Sequence, residues 1–201
     1  MLLTGLLAML TVLVTAPQAL RCWRLQTTDG ISHFSQTLCL AAAGAWFAYG
    51  VLTRDAAQLL TNAIDGSFTV AVLVALCRFG GMPIRSLALR SAGVTAALLA
   101  LIAVSGITGM LLFAIALVST WHLPQVWLAW RKPGGLGLSV VSLALSVAIN
   151  IAWMAYGLNV RDYAVAATAA WSFATTTFIA IRTVTARRKA AVFAPIFVPA
   201  T

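Results

Sequence analysis

Long apolar runs alternate with short polar stretches along nearly the whole chain. The runs cover roughly 2–20, 34–52, 56–77, 86–104, 107–128, 138–158 and 162–182, each close to the about 20 residues that a bilayer-crossing helix needs. The pattern predicts seven membrane helices. The first run has the length of a signal peptide but no Lys or Arg before it. A positively charged start is what a leader requires, so this run reads as a mature helix.

The second pattern is a repeat. Adding 107 to a residue number carries Pro17-Gln18 onto Pro124-Gln125, Trp23-Arg24 onto Trp130-Arg131, and Gly30, Ser32 and Ser35 onto Gly137, Ser139 and Ser142. The same shift carries Trp46 onto Trp153, Tyr49-Gly50 onto Tyr156-Gly157 and Arg54-Asp55 onto Arg161-Asp162, without a gap. The run at 86–104 has no counterpart. An internal repeat among membrane helices points to a transporter with its site between the two halves.

Composition narrows the class. Hydrophobic residues make up 62% of the chain and charged residues 8%, against about 25% charged in a soluble domain. The net charge of +9 does not signal nucleic acid, because the cations cluster between apolar runs as in cytoplasmic membrane loops. One set of loops holds Arg21, Arg24, Arg78, Arg85, Arg90, Arg131, Lys132, Arg182, Arg187, Arg188 and Lys189, and the other only Arg54 and Arg161. That bias predicts the N-terminus outside and the C-terminus in the cytoplasm.

The expected fold is all-α, with two parallel triple-helix bundles joined by a linker helix. The repeats fall at 1–80 and 106–183, the linker at 81–105 and a short cytoplasmic tail at 184–201. Cys22, Cys39 and Cys77 form no CxxC pattern and have no His partner, so neither a disulfide nor a metal is expected, and no cofactor. The expected partners are the lipid bilayer and a small-molecule substrate; a homo-oligomer is compatible with this reading. The expected location is the cell membrane.

Asp65 is the one carboxylate predicted inside a span. It follows Asn62 by three residues, so both share a helix face that Thr69 extends. An ionisable group at the bilayer centre costs roughly 2.5–3.5 kcal/mol on insertion scales and usually lines a cavity. Asp65 then accepts solute hydroxyls or binds a coupling proton, unless it is a structural carboxylate held by a neighbouring helix. Its repeat counterpart is Ser172. Trp46 and Trp153 offer flat faces that suit the C–H face of a sugar ring, or else belong to the aromatic belt at the membrane interface. Trp171 lies off the repeat match and ranks second.

Tyr49, Arg54 and Asp55 recur as Tyr156, Arg161 and Asp162. A breakable network among them would gate one mouth, whereas an Asp-capped turn with Arg at the headgroups is the simpler alternative. Pro17 and Pro124 would kink their helices, and Gln18 and Gln125 would bond the carbonyls so freed. The alternative is a plain helix end before a loop. His33 and His122 are lone histidines near span ends, and His122 is expected to make a local contact beside Pro124.

Pro17-Gln18 followed by a basic loop and Thr27–Ser32, its echo from Pro124 to Ser139, and the duplicated Trp46–Gly50 and Trp153–Gly157 segments resemble the PQ-loop superfamily. They are most similar to SemiSWEET and SWEET sugar transporters. The resemblance covers roughly 2–182. It implies one triple-helix unit per repeat, the solute held by Trp46 and Asn62, an outer gate at the Tyr–Arg–Asp triplets and an inner hinge at the Pro-Gln pairs. It also implies a mono- or disaccharide substrate moved by alternating access. Asn62 falls on Ala169 in the second repeat, where Asn150 offers an amide one turn before Trp153. The prolines common on the second helix of each family unit are absent from 34–52 and 138–158.

Other classes fit less well. A proton-coupled carrier of amino acids or another small metabolite is the alternative within the superfamily, and a membrane cargo receptor the alternative outside it. A retinal receptor needs a Lys inside the last span, yet Lys132 and Lys189 lie in loops. An enzyme is not expected, since no HExxH, paired Asp or Ser–Lys dyad falls within the spans.

Overall fold

The computed structural model describes residues 2–193. The tail beyond 193 lies outside the described residues. Six helical elements follow in order: α1 (Leu2–Leu25), α2 (His33–Thr53), α3 (Ala56–Phe79), α4 (Ile84–Arg131), α5 (Val140–Asn159) and α6 (Tyr163–Phe193). No strand occurs among the described residues. Six helical segments among them are long and apolar enough to cross a membrane: Thr4–Leu25, His33–Thr53, Ala56–Phe79, Leu111–Arg131, Val140–Asn159 and Tyr163–Ala191. The stretch read above as a linker helix is not among these six. The protein is therefore an all-α, multi-pass membrane protein.

Two boundaries differ from the sequence reading. Residues 184–193, expected in a tail, continue α6; the Ala-rich stretch around Arg187-Arg188-Lys189 has strong helix formers and no breaker. The runs at 86–104 and 107–128 fall in one element interrupted at Gly106 (φ 57°, ψ −140°). A straight helix of 48 residues would extend about 72 Å, far beyond the about 30 Å hydrocarbon core, so an interruption is required. Glycine supplies it because that backbone conformation is costly for any residue with a Cβ. The Arg90 guanidinium stands 5.8 Å from the Phe34 ring centroid, and the Trp121 carbonyl accepts from Ser35 Oγ at 2.6 Å. Residues on either side of Gly106 thus meet the same end of α2, and the chain reverses between them.

The packing repeats as the sequence does. α3 lies between α1 and α2, and α6 between α4 and α5. Across the halves, α2 packs on α4 and α1 on α5, which is the same contact seen from either repeat. One apolar core joins α1 and α3 through Cys22, Leu73 and Leu76, with Ile31 and Leu138 from the loops. A second joins α2, α4 and α6 through Ala45, Trp46, Ala114, Leu117 and Val165. α2 and α5 begin alike, with Ser32 Oγ accepting from Ser35 N and Ser139 Oγ from Ser142 N. These serine N-caps satisfy amides that the first helical turn leaves free.

The loops before α2 and α5 touch backbone to backbone. Gly137 N–H donates to the Asp29 carbonyl at 2.8 Å. A Cβ on Gly137 would stand 2.6 Å from that oxygen and 2.8 Å from Thr28 C, and backbone cannot step aside. Gly137→Ala is expected to cost about 1–3 kcal/mol. Each kcal/mol lowers the melting temperature by roughly 2–4 °C at this chain length. Thermal melting in detergent, followed by tryptophan fluorescence, checks this against Gly5→Ala, whose added methyl meets nothing within 4 Å.

Candidate functional site

A cavity of about 310 Å³ lies between the two bundles, at the small end of the range for ligand sites. Trp46, Asn62, Asp65, Asn150, Trp153 and Ser172 all line it, and so does Thr69. Every solute-site residue read from the sequence therefore faces one space. The repeat explains how: α2 and α5 contribute the Trp pair, and α3 and α6 contribute Asp65 and Ser172 at matching positions.

Burial separates the two readings of the tryptophans. Trp46 is 7% exposed, whereas Trp127 and Trp130 are 59% and 58% exposed. The latter two lie against arginine guanidinia, Arg131 over Trp127 at 4.4 Å and Arg182 over Trp130 at 5.4 Å, as interfacial aromatics do. Trp46 meets Tyr49 edge to face at 5.6 Å, and Trp153 meets Tyr156 the same way at 5.4 Å. Each indole is thus held by the tyrosine one turn later. Trp171 is off the cavity, 41% exposed, and donates to the Ser119 carbonyl at 3.0 Å.

The amides are partly committed. Asn62 Nδ2 donates to Gln58 O at 2.8 Å and Gln58 Oε1 at 2.9 Å, and Asn150 Nδ2 to Ser146 O at 2.8 Å. Among the described residues neither amide oxygen has a protein partner. The Asp65 carboxylate forms no hydrogen bond among the described residues either, so the structural carboxylate held by a neighbouring helix does not appear here.

At one end of the cavity the expected gate is simpler than the sequence suggested. Tyr49 Oη donates to Asp162 Oδ2 at 3.1 Å, and Tyr156 Oη to Asp55 Oδ2 at 2.9 Å. Each bond joins the two halves. The other carboxylate oxygen caps a helix: Asp55 Oδ1 accepts from Ala57 N and Gln58 N, and Asp162 Oδ1 from Val165 N. The capped turn and the tyrosine link therefore coexist on one side chain. Arg54 and Arg161 stand apart from this network. Both are exposed, with left-handed φ of 56° and 58° at the helix ends, and neither bonds a carboxylate among the described residues.

At the other end the glutamines do something the sequence reading missed. They do not bond carbonyls of their own kinked helices. Gln18 Nε2 donates to Gly137 O at 2.8 Å while Gln18 Oε1 accepts from Ser139 N at 2.8 Å. Reciprocally, Gln125 Nε2 donates to Gly30 O at 2.7 Å and Gln125 Oε1 accepts from Ser32 N at 2.8 Å. A primary amide carries one donor side and one acceptor side, which match the C=O and N–H two residues apart on an extended strand of loop. Each glutamine thus pairs with the loop of the opposite repeat. Pro17 and Pro124 lie inside α1 and α4 beside them. Arg21 Nε adds a cross-link to Leu136 O at 2.7 Å, and Arg187 binds the carbonyls of Gly135 and Leu138.

Trp121 and His122 also line the cavity, and sequence reasoning did not place them there. Their rings meet at 4.6 Å, and neither Trp121 Nε1 nor His122 Nε2 has a partner despite burial. Their spacing of four and three residues before Gln125 puts them on the face of that glutamine, a signal that was available. His33, by contrast, is not a cavity residue. No group of three metal-ligating side chains occurs among the described residues.

No protein-family model matches the chain. A comparison with curated proteins matches a protein named "Sugar transporter SemiSWEET" from Escherichia coli (strain UMEA 3162-1), 36% identical over 74 residues. The match covers 36% of this chain and 83% of that protein, a span about the length of one repeat.

Proposed function

This chain belongs to the SWEET/SemiSWEET-like PQ-loop family of sugar transporters, a family of non-enzymes, and on that premise we propose that it carries a mono- or disaccharide by alternating access. The observation that carries the reading is the cavity between the repeats, walled by Trp46 and Trp153 and lined on its α3 side by Asn62. The indole faces take the C–H face of a sugar ring, and the free amide oxygens take its hydroxyls.

The two ends of the cavity act as alternately opened mouths. The Tyr49–Asp162 and Tyr156–Asp55 bonds close the outer one, with Arg54 and Arg161 at the headgroups. Gln18 and Gln125, beside the Pro17 and Pro124 hinges, close the inner one. The orientation follows the loop charges, with the N-terminus outside. The stretch before Gly106 is the seventh crossing, running back along α2 so that both repeats point the same way. The cell membrane is the proposed site. Asp65 favours a second reading, a proton-coupled carrier of an amino acid or another small metabolite, because an intramembrane carboxylate is the usual seat of a coupling proton.

Counterflow of labelled mono- and disaccharides into proteoliposomes tests the proposal. Exchange of at least one sugar is expected. Well-folded protein that exchanges none of them would refute it and turn attention to the Asp65-coupled alternative.

A further inference from the structure

We propose that the preferred solute is a sugar bearing a free amine, with its ammonium group seated on Asp65. This rests on the carrier reading above and goes beyond it by naming the charge of the cargo.

Among the described residues, Asp65 is the only acidic residue lining the cavity, and no Lys or Arg lines it. The carboxylate forms no hydrogen bond among the described residues. Asp65 is half-buried, its carboxylate facing the cavity, and an ionised carboxylate that exchanges cavity water for a solute without a matching charge is disfavoured. A bound cation relieves that cost at the moment of binding, and a neutral hydroxyl relieves much less of it. A second, independent feature points the same way. Trp46, Trp121 and Trp153 all border this space, and indole faces attract cations. One anion, three indoles and a set of neutral amides and hydroxyls describe a site for a monocation with an apolar ring face. The repeat locates the preference in one half only, since Ser172 occupies the position matching Asp65. The one lining group able to supply a competing positive charge is His122. Its Nε2 has no partner, and no bond joins it to Asp65 among the described residues, so the carboxylate is left for the solute.

The test compares counterflow of glucose, glucosamine and N-acetylglucosamine, which differ in the substituent at one ring position, hydroxyl, ammonium and neutral amide, so that only glucosamine carries a charge there. The parent is expected to favour glucosamine over N-acetylglucosamine by on the order of tenfold, the worth of one charged hydrogen bond. Asp65→Asn is expected to erase that advantage, bringing the ratio of glucosamine to N-acetylglucosamine exchange to about one. A parent without the preference, or an Asp65→Asn variant that keeps it, would overturn the proposal. Should Asp65→Asn lose all exchange, Asp65→Glu decides, because it keeps the charge: a retained glucosamine advantage supports the seat, and its loss overturns it. A parent that exchanges glucose without preferring the amine leaves the carrier reading standing, whereas exchange of none of the three defeats both.

Discussion

Trp46→Ala is expected to lower sugar exchange about a hundredfold in proteoliposomes and Trp153→Ala comparably, while Trp171→Ala is expected to change it less than threefold. The contrast follows from where the three indoles sit. Trp46 is 7% exposed, lines the cavity and is pinned by Tyr49. Trp153 is its partner across the repeat. Truncating a large buried aromatic costs about 3–5 kcal/mol, and about 3 kcal/mol of lost solute contact is roughly a hundredfold in rate or affinity. Part of the cost at Trp46 falls on folding, since that indole also packs against Ala114 and Leu117. Trp46→Phe separates the two effects: it keeps most of the packing yet narrows the stacking face, and should retain intermediate exchange with near-parental melting. Trp171 sits off the cavity with its N–H already bonded to Ser119. If Trp171→Ala were as damaging as Trp46→Ala, the indole pair would not be the sugar platform.

The double variant Gln18→Leu/Gln125→Leu is expected to open the loop end of the cavity and hold it open. Four hydrogen bonds between the repeats vanish together. At about 1 kcal/mol net for each, they amount to about 4 kcal/mol, or close to a thousandfold in the balance between closed and open states. The freed N–H and C=O groups of the loops are not left buried, because the open state gives them water. The readout is modification of Cys39, a buried thiol lining the cavity, by a polar thiol reagent, in a background where Cys22 and Cys77 are alanine. Labelling should rise by two to three orders of magnitude in the double variant and by roughly thirtyfold in either single one. Counterflow should slow, because a carrier held in one state cannot cycle. Unchanged labelling would mean that other contacts, such as Arg21 to Leu136, hold this end without the glutamines.

The offset between the repeats made most of the site legible before any coordinates. Asp65, Ser172 and the two tryptophans were placed from residue type, helical spacing and the repeat, while Asn62 and Asn150 entered through the family resemblance, and all six share one cavity. Spacing works here because a helix face is a local property. The glutamine partners were hidden for the opposite reason: Gln18 and Ser139 are brought together only by docking of the two bundles, and nothing local to either residue encodes it. For Arg54 and Arg161 the sequence left two readings open, a gate partner or a headgroup contact, because adjacency to a carboxylate does not fix side-chain direction. The helical extent of α6 past residue 183 was obscured by its charge cluster, which reads as a loop when weighed only for membrane burial.

The unequal lining of the cavity also has a statistical consequence. A cavity with true twofold symmetry would accept a solute in two equivalent poses, a degeneracy worth RT ln 2, about 0.4 kcal/mol. Here Asn62 faces Ala169, Asp65 faces Ser172 and Asn150 answers Ala43 through the repeat. The fused chain has given up that degeneracy, so a chiral solute seated there would turn one fixed side toward each repeat instead of either side toward either.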